Sequence, residues 1–65
     1  MKLLLNGDPL ETAATNLAEL MNDAGFTVAT VATAVNGDFV PHPERQATTL
    51  TDGDKIEVLA PMQGG

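Results

Sequence analysis

Residues 52–59 read Asp52-Gly53-Asp54-Lys55-Ile56-Glu57-Val58-Leu59, and this stretch decides the fold. Its first three residues have turn chemistry, because glycine takes left-handed angles and aspartate accepts hydrogen bonds from nearby backbone. The next five alternate, with Ile56 and Val58 on one face and Glu57 and Leu59 on the other. That is the period of a strand with one side against a core. Pro61 follows and cannot donate to a ladder, so pairing ends and the last residues leave the sheet.

The segments upstream supply partners for this strand. VATVATAV (28–35) is rich in β-branched and small residues and runs into Asn36-Gly37, a strong tight-hairpin signal. Phe39-Val40 returns, and Pro41 stops that strand early. HPERQATTL (42–50) reads as a polar loop that Leu50 anchors to the core. At the other end, KLLLN (2–6) is a short strand bounded by the turn cluster Asn6-Gly7-Asp8-Pro9, with a return strand around Leu10 to Ala13. Leu3 and Leu5 share one face of the first strand, Lys2 and Leu4 the other.

Between the hairpins lies a helix. Asn16 and Glu19 form a capping box, Leu17, Leu20, Met21 and Ala24 make one buried stripe, and Gly25 sits at the left-handed C-terminal cap. The order hairpin, helix, strand, short strand, strand predicts an α+β domain, a mixed sheet of four or five strands covered on one face by a single helix. The first and last strands are expected to be adjacent and parallel. Leu3, Leu5, Ile56 and Val58 then face the helix, while Leu4 and Leu59 point outward, side by side, on the uncovered face. Residues 1–60 form the domain and 61–65 a flexible tail.

Composition restricts the function. The 65 residues suffice for one domain with a small core, too small for a deep catalytic cleft. Nine acidic side chains against three basic ones give a formal charge of −6, which repels phosphates and anionic lipid. Two Phe, no Tyr and no Trp leave no stacking platform for single strands. Nucleic acid and membrane are therefore not expected partners, and a basic protein surface is. Absence of cysteine fits a reducing, cytoplasmic setting and removes thiolate metal chemistry.

Conventional catalytic sites are not visible. His42, between two prolines, has no orienting partner and reads as an exposed loop histidine. Asp52-Gly53-Asp54 lacks the ligand ladder of a calcium loop and reads as a turn. Glu44 and Arg45 read as a surface ion pair of little energetic consequence. The tail Pro61-Met62-Gln63-Gly64-Gly65 is the candidate for chemistry. A backbone without side chains, as at Gly64-Gly65, threads a narrow channel, and the six residues from Ala60 onward, extended, span roughly 20 Å. The carboxyl carbon of Gly65 is then the reacting atom, once a phosphoryl leaving group is installed.

KLLLNGD (2–8), TAVNGDFVP (33–41) and LTDGDKIEVLAPMQGG (50–65) together resemble the ubiquitin-like β-grasp sulfur carriers, specifically the ThiS type of thiamine biosynthesis. The resemblance spans nearly the whole chain. It implies a carrier rather than an enzyme, monomeric when free and binding no cofactor or metal itself. A ThiF-like adenylyltransferase using ATP would adenylate Gly65, and a cysteine-desulfurase relay would supply sulfur for a thiocarboxylate. A ThiG-like thiazole synthase would receive that sulfur. Partners would dock around Leu4, Leu59 and Phe39, with Gly64, Gln63, Met62 and Pro61 forming the approach. Many relatives place a basic residue directly after Val40-Pro41, where this chain has His42, with Arg45 only later. The tail is also similar to those of MoaD-type carriers of molybdopterin synthesis. Such a carrier, or a ubiquitin-like binding module or protein modifier, is the alternative.

Overall fold

The structure, a computed structural model, describes residues 1–26 and 31–59. Five strands form one sheet: β1 (Lys2–Leu5), β2 (Asp8–Glu11), β3 (Ala32–Val35), β4 (Asp38–Val40) and β5 (Lys55–Leu59), in the order β2-β1-β5-β3-β4. As expected, β1 and β5 are neighbours and parallel, and β5 occupies the centre, while the remaining pairs are antiparallel. Helix α1 (Leu17–Asp23) presents Leu17, Leu20 and Met21 to the core, where Leu3, Ile56 and Val58 are buried and Leu5 is half-buried.

Two Asn-Gly turns set the register. Asn36 and Gly37 have φ of 52° and 88°, and Asn6 and Gly7 have 50° and 86°, the double left-handed geometry of a tight hairpin turn. Each asparagine also fastens the central strand. Asn36 Oδ1 accepts from the Lys55 N–H (3.0 Å), and Asn6 Oδ1 accepts from the Val58 N–H (2.8 Å). The last strand is thereby tied to the tips of both hairpins.

The first hairpin is tighter than the residue cluster suggested. The return strand is Asp8–Glu11 rather than Leu10 to Ala13, because a two-residue turn closes at Asn6-Gly7 and leaves Asp8 free to pair with Leu5. Pro9 lies inside β2, an edge strand, where proline is tolerated.

The helix start differs in one detail. Asn16 Oδ1 accepts from the Glu19 N–H (2.8 Å), but the Glu19 carboxylate reaches past Asn16 to the N–H and hydroxyl of Thr15 (2.8 and 2.9 Å). Those bonds hold the Glu19 pKa below its ordinary value, the Thr15 backbone bond being the largest cause. At the other end Gly25 (φ 89°) follows the cap, the Gly25 N–H donates to Asn22 O and the Phe26 N–H to Met21 O. This double bond pattern ends the helix at Asp23. Ala24 is therefore the exposed C-cap rather than the end of the buried stripe.

The segment 42–50 is not purely loop. His42–Glu44 form a 3-10 turn, and the following backbone caps α1, since Thr48 O and Arg45 O accept from the N–H groups of Leu17 (3.0 Å) and Ala18 (3.3 Å). Leu50 is buried as expected. Of the expected 28–35 strand, the part before Val31 lies outside the described residues, as do the tail and the boundary drawn at residue 60.

Candidate functional site

The face of the sheet away from α1 is built in rows by strand pairing. Pro9, Leu4 and Lys55 lie across β2, β1 and β5; Glu57, Ala34 and Phe39 lie across β5, β3 and β4; Leu59 and Ala32 lie across β5 and β3. Each row follows from the period of two that puts Ile56 and Val58 inward. Phe39 and Leu59 are 69% and 66% exposed, which for large apolar side chains marks a contact surface rather than a core.

Leu4 and Leu59 share this face but are not side by side. Leu4 is level with Lys55, four residues before Leu59, or about 13 Å along the strand. The reason is length: β1 turns away at Asn6-Gly7 after Leu5 has met Ile56, so the second half of β5 pairs with β3 alone. Leu4 is half-buried, and its apolar neighbour is Pro9. Leu59 instead belongs with Ala32, Ala34 and Phe39, at the end of β5 from which residues 60–65 continue. A shallow depression of about 530 Å³ between the two Asn-Gly turns, with Leu4, Gly7, Gly37, Lys55 and Glu57 in its walls, lies toward the Lys55 end of the strand.

Arg45 is the largest departure from expectation. It is 5% exposed and pairs with no carboxylate among the described residues. Its Nε donates to Thr33 Oγ1 (3.0 Å) and its Nη2 to Val31 O (2.6 Å). Thr33 in turn donates to Val40 O (2.7 Å). The supposed surface pair with Glu44 thus does not form, because no large aliphatic residue lies between Pro41 and Thr49 to plug this end of the sheet. Arg45 has the longest apolar stem in that stretch, and this was the available signal. His42 is exposed, as expected of a loop histidine.

Asp52-Gly53-Asp54 is a turn, with Gly53 at φ 88°. Sequence reasoning missed the role of Asp54, which is buried and accepts from the Thr51 N–H (2.8 Å), the Thr51 hydroxyl (2.9 Å) and Asn36 Nδ2 (3.0 Å). The Thr51 backbone bond, then Asn36, hold its pKa below the ordinary value; these bonds outweigh desolvation because the site lies at the rim of the domain. Among the described residues no three His, Asp or Glu side chains gather to hold a metal ion, and no helix is long and apolar enough to cross a membrane.

Among the described residues a single helix lies over one face of this five-stranded mixed sheet, the arrangement of the ubiquitin-like β-grasp class. The ThiS family model matches residues 3–65. The chain is 36% identical to a sulfur carrier protein ThiS from Thermus thermophilus over 61 residues, 94% of this chain and 95% of that protein. The crystal structure of a thiamine biosynthesis protein (ThiS) from Geobacter metallireducens is similar with a TM-score of 0.85 at 33% identity, covering all of both chains. A solution structure of a thiamine biosynthesis protein from the same organism gives 0.80 at 35%, covering all of this chain and 88% of that one. The chain belongs to the ThiS family, the sulfur carriers of thiamine biosynthesis.

Proposed function

We propose that Gly65 carries the sulfur as a thiocarboxylate and that the uncovered sheet face docks the enzymes that load and unload it. A carboxylate oxygen of Gly65 attacks the α-phosphate of ATP in a ThiF-like adenylyltransferase, and pyrophosphate leaves. A sulfur nucleophile from a cysteine-desulfurase relay then attacks the acyl carbon and expels AMP. Sulfur arriving as a persulfide needs a thiol to cleave the remaining S–S bond. In a ThiG-like thiazole synthase in the cytoplasm the sulfur passes to the substrate, and an oxygen from the substrate or from water takes its place on the acyl carbon, which restores the carboxylate. ATP is used by the partner, and the chain itself supplies a docking face and the slender approach of Pro61 to Gly64.

The observation that carries this reading is the ThiS family match through residues 3–65, Gly64 and Gly65 included. The exposed Phe39 and Leu59 beside the start of the tail support the docking role. The test is intact mass after incubation with ATP, the cognate ThiF-like enzyme and a sulfur donor. The expected gain equals the exchange of one oxygen for sulfur, and it disappears when Gly65 is deleted. An unchanged mass with an enzyme that adenylates other carriers overturns the proposal.

A further inference from the structure

Glu57 stands in the middle of the outward face, beside the exposed apolar side chains of Phe39 and Leu59. Across β3 its neighbour is Ala34, which has no side chain beyond Cβ, and Phe39 lies next in the same row. Toward β1 its neighbour is Asn6, whose N–H donates to Ile56 O (2.9 Å) and whose Oδ1 accepts from the Val58 N–H (2.8 Å), so its polar groups are spent on the β5 backbone. Leu59 follows two residues along, about 6.6 Å away. Glu57 is exposed and makes no ion pair within 4.0 Å among the described residues, Lys55 included. Any surface that covers Phe39 and Leu59 must therefore also cover this carboxylate. Removing water from an unpaired carboxylate is costly, whereas a charge-assisted bond in a dry site is strong.

We propose that Glu57 is the ionic centre of the docking face, and that its partner presents an arginine or lysine there, ringed by apolar groups that cover Phe39 and Leu59. This rests on the docking role assigned above to the sheet face. The net charge of −6 favours the same kind of partner during approach. Alanine at position 34 leaves lateral room for a planar guanidinium beside the Glu57 side chain.

The neutral isostere Glu57→Gln separates the possibilities, with binding to the cognate ThiF-like adenylyltransferase measured calorimetrically at low and high sodium chloride. Pairing with a cation predicts that Kd rises at least about tenfold at low salt, and that the variant's Kd depends less on salt than the wild type's. Glu57→Lys is expected to weaken binding further. An unchanged Kd would mean that Glu57 stays wet, and a lower Kd that it is covered without a partner; either result overturns the proposal. Thermal melts of both variants should match the wild type because the side chain is exposed. Sulfur loading of the wild-type chain, read by mass, is scored separately. Binding without loading defeats the proposed function alone, and absence of wild-type binding defeats both.

Discussion

Replacing Arg45 tests how a carrier this small holds its sheet to its helix. The guanidinium donates to Thr33 Oγ1 and Val31 O, and both acceptors are neutral. Hydrogen bonds from a charged donor contribute about 1.5–3 kcal/mol each, and truncating a long buried stem to alanine adds a cavity term. Against these stands the cost of keeping a guanidinium out of water, several kcal/mol after relaxation. The terms predict that Arg45→Ala destabilises by about 2–4 kcal/mol, while Arg45→Met, which keeps the stem and discards the charge, stays within about 1 kcal/mol of wild type. A domain of this size has only about 3–5 kcal/mol to lose, so the alanine variant should be near its folding limit. At about 4–8 °C per kcal/mol its melting temperature falls by roughly 10–30 °C. Urea unfolding with an unchanged m-value measures both variants. A methionine variant as unstable as the alanine one would show that the polar bonds, not the filled volume, dominate. An alanine variant equal to wild type would refute the placement of Arg45 in the core.

The Asp54 pKa is depressed, so its contribution to stability is present above the ordinary value of 3.8 and is lost as pH falls through the lower folded value. The urea midpoint should hold between pH 7 and 5 and fall in acid below pH 4, and Asp54→Asn should flatten that acid limb. Glu19 acts in the same direction at the helix start. Gly37→Ala meets open space around its new Cβ, so only the left-handed backbone penalises it, by about 1–2 kcal/mol in denaturant. Leu59→Glu should change stability by less than about 0.5 kcal/mol yet weaken docking to the adenylyltransferase. Leu4→Glu, half-buried, should cost about 1 kcal/mol or more, and a melt that reverses this ranking would contradict the outward rows.

Features carried by adjacent residues were readable before the structure. Alternation in KIEVL, the Asn36-Gly37 turn, the Asn16 cap and the Gly25 stop depend on neighbours in the chain, and each reappears in place, whereas the first turn closes within the Asn6-Gly7-Asp8-Pro9 cluster at Asn6-Gly7 alone. What could not be read depends on pairing between segments far apart. Whether Leu4 meets Leu59 is decided by where β1 runs out against β5, a register involving residues about fifty positions apart. The burial of Arg45 was illegible for the same reason, since its acceptors lie on β3 (Thr33) and just before it (Val31), 12 and 14 positions away. Glu57 was legible as an outward residue, but its place between Ala34 and Leu59 required the β3–β5 register.

The distribution of charge connects the fold to its use. Both lysines, Lys2 and Lys55, lie on the uncovered face together with Glu11 and Glu57, so that face carries balanced charge. The remaining cation, Arg45, is buried. Six exposed carboxylates, Asp8, Glu19, Asp23, Asp38, Glu44 and Asp52, occupy the helix, the turns and the first residues of β2 and β4, with no exposed lysine or arginine among them. Two copies approaching by any other side repel each other, which favours a free monomer without penalising contact at the sheet. A basic partner of the kind proposed above would be drawn in by the whole molecule and would meet the greatest apolar exposure among the described residues at Phe39 and Leu59. Long-range attraction and short-range fit are thus supplied by different residues. Reversing Asp23 and Glu44 should slow association and leave dissociation alone, whereas Leu59→Glu should speed dissociation.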